Sequence, residues 1–371
     1  VIYNSNTYKH IMMLKRIFRV YIIIGRNFNI WFSPILTGLL LFFLRIIVAT
    51  GQILDRLIFW SVQKPLHNPI IIVGNPRSGT TFLHRFLIEK QFGSGSQLWQ
   101  TLYPSILLQK LVKPFLPLME KISPARHHST EAHKTSLTSV ETDDVSLLFR
   151  YLDGFFLYGF FLTFDEDDLF HWVDPEIRDT SKRDFKWFKS TWKRNLISNK
   201  SNRYIGKLFS LSSNLPSFQK EFEDAKILYM IRDPLSVIPS GLSLVTGVLD
   251  KKFDFWSLEG DTRKKFINRL YLALVELLKR FHQDWVNNKI NKEKVMIIRF
   301  DSMMNDFESL MDEIMDFLNI QRDDQLLKDI QDTAKKQREY QSIHEYDLEK
   351  FGLSKAQIKD DCKDIYRTFL S

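Results

Sequence analysis

Cysteine occurs once in the 371 residues, as Cys362, which excludes an intramolecular disulfide framework and any multi-cysteine zinc site. It lies among Asp360, Asp361 and Lys363 and reads as incidental. No H-E-x-x-H or comparable ligand set occurs, so no metal is expected. Internal repeats and low-complexity linkers are missing as well. Net positive charge is scarce beyond residue 70, although the formal net charge of the whole chain is +8. Within the first 70 residues Lys9, Lys15, Arg16, Arg19, Arg26, Arg45, Arg56 and Lys64 face a single acid, Asp55. The rest of the chain is close to neutral, which argues against a general nucleic-acid surface, and no nucleic-acid partner is expected.

Hydrophobic residues make up 44% and charged residues 26%, ordinary globular values that exclude wholesale disorder. The length suits one large α/β domain with excursions, or two modest domains. Phenylalanine is abundant, at 31 copies, which fits thick packing or contact with lipid.

Residues 9–25 place Ile11, Leu14, Phe18 and Ile22 at helical spacing, with Lys15, Arg16 and Arg19 on other faces. Residues 30–50 are then apolar, interrupted only by Ser33, Pro34, Thr37 and Arg45. That length approaches the roughly 20 residues of a membrane span. Arg45 costs about 2.5–3.5 kcal/mol at a bilayer centre and less if it snorkels. A basic amphipathic stretch before an apolar helix also fits an element lying in the interface, or a collar packed on the protein's own core. Membrane contact through residues 1–60 is expected, with the cytoplasmic or Golgi side left open. The run is not read as a secretory signal, because it begins late and lacks a clean small-residue cleavage site.

From residue 69 the pattern turns to α/β. Ile70-Ile71-Ile72-Val73, bounded by Pro69 and Gly74, has the character of a buried parallel strand. Residues 227–231 and 295–300 are expected to be two more, the first ended by Arg232-Asp233-Pro234 and the second by Asp301. Helical patterns follow over 81–90, with Leu83, Phe86 and Leu87 on one face, and again through Phe307, Leu310, Met311, Ile314 and Phe317. Alternating strands and helices predict a parallel sheet covered by helices. The acidic run at residues 165–168 reads as a solvated loop.

The strongest local signal is Gly74-Asn75-Pro76-Arg77-Ser78-Gly79-Thr80-Thr81, between a predicted strand and a predicted helix. Such a loop turns backbone N–H groups and a helix N-terminus toward an anion. Gly79 permits close approach, Thr80 and Thr81 offer hydroxyls, and Arg77 supplies a phosphate-matching fork. In a nucleoside triphosphate loop, G-x-x-x-x-G-K-[ST], the position of Thr80 is lysine; its absence counts against triphosphate chemistry.

Residues 76–81 resemble the 5′-phosphosulfate loop of the sulfotransferases that use 3′-phosphoadenosine 5′-phosphosulfate. Residues 232–240 (Arg-Asp-Pro-Leu-Ser-Val-Ile-Pro-Ser) are similar to the family's 3′-phosphate segment, where an arginine closes a strand and a serine follows eight residues later. The likeness is to the broad bacterial and eukaryotic branch and spans roughly residues 68–368, including a Tyr–Phe-Gly-Leu segment at 344–353. It implies a P-loop-like three-layer α/β/α fold with a central parallel sheet over 68–371. A helical acceptor-side insertion at about 95–200 and a helical segment over 1–67 would be added to it. It further implies that Arg77, Ser78, Gly79, Thr80, Thr81, Arg232 and Ser240 bind the donor. Arg77 and Lys207 would be the leaving-group cations, although the family's Ser-Pro after the lysine is Leu208-Phe209 here. The base would be His133 or Glu141, from a stretch in which a histidine precedes a carboxylate cluster by eight residues. Glu141, Asp143 and Asp144 form that cluster, with Thr142 in place of its middle acid, so Asp143 also stays open as the base. The acceptor would be a hydroxyl or amine of a small molecule, lipid or carbohydrate. The aromatic run Phe149, Tyr151, Phe155, Phe156, Tyr158, Phe160 and Phe161 is either core or the wall of an acceptor pocket. A nucleotide kinase and a non-catalytic, membrane-associated nucleotide-binding protein are the competing functions.

Overall fold

The computed structural model describes residues 5–122, 136–339 and 347–371. Two long helices lead, α1 (Ser5–Phe28) and α2 (Ser33–Ile58), followed by β1 (Ile70–Val73) and α3 (Thr80–Glu89). Helices α4 (Leu98–Leu102), α5 (Ile106–Val112), α6 (Leu116–Ile122), α7 (Val145–Tyr151), α8 (Phe155–Phe160) and α9 (Ser181–Asn199) then lead to β2 (Ile205–Lys207). The second half runs α10 (Leu215–Glu221), β3 (Lys226–Ile231), α11 (Pro234–Phe253), α12 (Gly260–Val286), β4 (Val295–Arg299), α13 (Phe300–Asn305), α14 (Phe307–Leu318), α15 (Asp324–Glu339) and α16 (Lys355–Asp361).

The four strands form one parallel sheet in the order β2-β1-β3-β4. Alternation along each strand feeds two cores. Ile71, Val73, Ile227 and Tyr229 face α11 and α12, including Leu242, Leu270 and Phe281. Ile70, Ile72, Leu228 and Met230 face α3 and α14, including Leu83, Phe86 and Met311. Ile71 and Ile72 are wholly buried, and each such side chain contributes about 1.5–3 kcal/mol. The predicted strands at 70–73 and 227–231 hold. The predicted strand at 295–300 ends one residue early, because Phe300 opens α13.

Carboxylates of the domain meet the basic N-terminal segment. Arg19 forks onto Asp165 at 2.9 and 3.2 Å, Arg26 meets Glu166 at 3.1 Å, and Arg16 lies 3.6 Å from Asp153. The acidic run is therefore solvated at Glu166, Asp167 and Asp168 only; Asp165 is buried under α1. Asp55 of α2 is wholly buried, accepting from Arg194 and from the Ile106 and Leu107 amides. Arg45 does not snorkel: its Nε donates to the Phe149 carbonyl at 2.8 Å, near the C-terminus of α7.

The docked part of α2 is its second half, through Leu44, Val48, Gly51 and Asp55. Its first half is exposed all round, with Leu36, Leu40, Phe42 and Phe43 each more than half exposed. Only 11% of the helix's most apolar window is buried, which excludes an ordinary core helix.

Candidate active site

Strand β1 delivers the chain to the loop at its carboxyl end, where open α/β sheets bind ligands. Gly74 (φ 145°) has to be glycine, because a Cβ there would meet the Met230 carbonyl oxygen at 2.5 Å. Arg77 holds φ 78°, an uncommon conformation for a residue with a side chain. Asn75, buried, anchors the loop by donating to the Leu274 carbonyl of α12 at 2.9 Å. Helix α3 starts at Thr80, so the N–H groups of its first turn have no carbonyl within the helix to meet.

The two predicted anion cradles meet. Arg77 Nε donates to Ser240 Oγ at 3.0 Å, and Arg232 Nη1 donates to the Arg77 carbonyl at 2.9 Å. The Arg232 guanidinium also lies over the Phe300 ring at 4.0 Å. Its strand-end position is fixed by Asp233, which caps α11 and accepts from the Tyr366 hydroxyl near the C-terminus. Ser78 behaves otherwise: its hydroxyl and its N–H both turn inward onto the Asn75 carbonyl, at 2.7 and 3.1 Å. Thr80 is buried, and the Thr81 hydroxyl accepts from Lys207 Nζ at 3.1 Å.

Lys207 ends β2, beside β1. Its ammonium is buried, and burial pushes its pKa down while Glu141 opposes that effect. No carboxylate among the described residues forms an ion pair with it within 4 Å. A buried ammonium with three donors and one hydroxyl partner suits an anion brought to the loop. The donor set thus suits phosphate or sulfate groups.

The carboxylate segment is stitched to the same strand end. Asp143 N donates to the Lys207 carbonyl at 2.9 Å, and Lys207 N returns a bond to Asp143 Oδ2 at 3.1 Å. Asp143 Oδ1 accepts from Tyr204, Ser96 and Trp192 at 2.6, 3.1 and 3.1 Å. Burial raises its pKa to about 6 against the pull of those bonds. Asp144 is likewise occupied, by Thr142, Ser210 and the Phe209 amide. Glu141 differs. It is buried beside Arg85 (3.9 Å), accepts from Ser139 Oγ at 2.9 Å, and is the chief acid acting on Lys207. His133 lies outside the described residues.

Sequence reasoning missed His84 and Arg85. His84 is fully buried and bonded to the Ile205 carbonyl at 3.0 Å, and burial, then Lys207, pushes its pKa down to about 3. Spacing carried the signal, since His84 and Arg85 follow Thr81 by three and four residues on one helix face. The aromatic run divides: Tyr158 is core, while half-buried Phe155 and Phe156 set their edges on Phe209 at 5.4 Å, two residues beyond Lys207. A cavity of about 370 Å³, lined by His67, Asn68, Gln91 and Arg203, opens where β1 and β2 begin. It is at the wrong end of the sheet for this chemistry. Asp301, just past the end of β4, is exposed and pairs with Arg299 at 3.4 Å.

The sequence pattern of the sulfotransferase family matches residues 69–324. The fold is similar to that of sulfotransferase STF1 from Mycobacterium tuberculosis H37Rv, with a TM-score of 0.67 and 15% identity over 96% of this chain and 93% of that one. Sulfotransferase STF9 from Mycobacterium avium gives 0.64 and 16%, over 83% and 78%. Among curated proteins none matches the chain.

Proposed function

The chain belongs to the sulfotransferase family, and from that premise we propose that it moves the sulfuryl group of 3′-phosphoadenosine 5′-phosphosulfate to a hydroxyl or amine of an apolar acceptor at a membrane surface. The observation that carries the donor is the joining of the two cradles, Arg77 to Ser240 and Arg232 to the Arg77 carbonyl. One ligand charged at both ends satisfies both. Arg77, the α3 N-terminus and the Thr80 and Thr81 hydroxyls take the 5′ side; Arg232 and Ser240 take the 3′-phosphate. Ser78 serves the loop's own turn.

The donor supplies the sulfuryl group. The acceptor oxygen bonds to sulfur as the sulfur–phosphate oxygen bond breaks, and the acceptor's proton goes to a base. Lys207 and Arg77 meet the charge left on the phosphate, a type of stabilisation usually larger than proton transfer. Glu141 is the base in this reading and His133 the rival. The support for Glu141 is its burial beside Lys207, on which it is the chief acid acting; Asp143 and Asp144 are bonded to the backbone amides of Lys207 and Phe209. Asp143 is a brace that fixes the backbone of Lys207.

Half-buried Phe155, Phe156 and Phe209 near Lys207 favour an acceptor with an apolar body, a lipid or aromatic alcohol, over a carbohydrate. The first half of α2 supports the membrane site. From Ser33 to Phe43 it reaches about 16 Å, half of a hydrocarbon core of about 30 Å. That length fits seating in one leaflet rather than a span.

Thermal unfolding with 3′-phosphoadenosine 5′-phosphate, and separately with ATP–magnesium, tests the donor. The bis-phosphorylated nucleoside stabilises the protein by about 2.7 kcal/mol at a hundred times its Kd. Stabilisation by ATP–magnesium alone overturns the proposal.

A further inference from the structure

Three arginines of the N-terminal helices, Arg16, Arg19 and Arg26, meet carboxylates. Arg45 does not. Its Nε caps the Phe149 carbonyl, while its Nη2 is buried with no hydrogen-bond partner. Beside it Arg150, in the last turn of α7, also buries an unpartnered Nε, with its guanidinium over the Trp187 ring at 5.2 Å. Neither arginine forms an ion pair with a carboxylate among the described residues. Burial pushes the Arg45 pKa down, and the neighbouring Arg150 pushes it further. Two adjacent cations with buried, unmet donors are costly unless an anion joins them.

Their place in the fold says which anion. Arg45 lies two residues past Phe43, where α2 passes from being exposed all round to being docked on one face, with Ile46, Ile47, Ile53 and Leu57 still exposed on the other. If the exposed half sits among acyl chains, this junction is at the depth of the headgroups. We propose that Arg45 and Arg150 form a binding site for the phosphate of a membrane phospholipid, which completes the footing of α2. The site rests on the membrane seating proposed for α2. The guanidinium forks of both residues suit a phosphodiester. Because the site contacts the phosphate itself, it acts on phospholipids of no net charge as well as on anionic ones.

The test is flotation of the full chain with vesicles of phosphatidylcholine and of digalactosyldiacylglycerol, both uncharged overall and only the first carrying phosphate. Wild type binds phosphatidylcholine about tenfold more tightly. Arg150→Gln brings that binding down to the glycolipid level and leaves glycolipid binding unchanged. This variant spares the α7 carbonyls, which Arg16 and Arg45 cap, and an unchanged unfolding midpoint verifies its fold. Equal wild-type binding to both vesicles, or an Arg150→Gln variant that still prefers phosphatidylcholine, overturns the phosphate site while leaving the membrane seating intact. Absence of binding to either vesicle overturns both. Binding of soluble glycerol 3-phosphate that Arg150→Gln abolishes, with no preference between vesicles, makes this a free-anion site and also overturns the proposal.

Discussion

Replacing Arg232 by alanine separates the two anion cradles, and the structure predicts unequal effects on two ligands. The guanidinium is assigned to the 3′-phosphate and also holds the Arg77 carbonyl at 2.9 Å. Charged hydrogen bonds contribute about 1.5–3 kcal/mol each, so removing a forked pair of bonds to phosphate costs about 3 kcal/mol, or ~100-fold in affinity. Loosening the loop costs the 5′ side less, about 1 kcal/mol or fivefold. Calorimetric titration with 3′-phosphoadenosine 5′-phosphate and with AMP, which lacks the 3′-phosphate, reads both quantities. Wild type prefers the bis-phosphate strongly, and Arg232→Ala collapses that preference to within about fivefold while weakening AMP only slightly. The fold survives, because the stacking on the Phe300 ring at 4.0 Å, which disappears together with the tether, contributes about 1 kcal/mol. If both ligands weaken by the same factor, Arg232 supports the loop and reads no phosphate. The joined-cradle argument then fails.

Lys207→Met removes a buried cation and keeps its length. Turnover falls by about 10²–10³-fold while thermal stability holds or rises, and equal losses in both refute the leaving-group role. Asp143 has a folded pKa of about 6, above its ordinary 3.8. Its stabilising effect is fully present below the ordinary value and is lost as pH rises through 6. Wild type therefore loses roughly 2–3 kcal/mol relative to Asp143→Asn between pH 4 and pH 7 in denaturant melts, and a constant difference contradicts this. Asp55→Asn leaves buried Arg194 without its carboxylate and costs about 3–5 kcal/mol in the same assay; a loss below about 1 kcal/mol would show that α2 is not held through this pair.

The loop proposed to hold the donor, with its flanking strand and helix, was legible as a fold element because its signals are local. A β-branched run, an arginine ahead of Ser-Gly-Thr-Thr and a helix pattern define β1, the loop and α3 within twenty residues. Arg232 and Ser240 repeat that logic eight residues apart. Strand β2 was not legible: three residues, one of them glycine, carry no periodicity, and its place beside β1 comes from pairing 135 positions away (Ile70 with Ile205). The different surroundings of Glu141, Asp143 and Asp144 were equally hidden, since those of Asp143 depend on Tyr204, Trp192 and Ser96 converging from other elements. Long-range docking also decides what the N-terminal arginines do. Their spacing marked a basic amphipathic helix, but nothing in that spacing pairs Arg19 with Asp165 or aims Arg45 at the end of α7.

The bond from Arg45 to α7 joins the exposed apolar helix to the carboxylate segment at residues 141–144. Helix α7 has seven residues and is about 10 Å long, too short to bend appreciably. Immediately before it, residues 141–144 are bonded to the backbone and side-chain surroundings of Lys207. Its C-terminal carbonyls are held by Arg16 from α1 and Arg45 from α2, with Arg16 also bonded to the Leu152 carbonyl at 3.1 Å. Unmet carbonyls at a helix C-terminus favour cations, so these arginines stabilise α7 as well as dock their own helices. The position of Glu141 relative to Lys207 thus depends on a stack that begins at Arg45, beside the exposed half of α2, and passes through α7. In the proposed reaction an acceptor drawn from the bilayer meets a base whose placement is set by the same helices proposed to seat the protein there, and this coupling supports the proposed membrane-dissolved alcohol over a soluble acceptor.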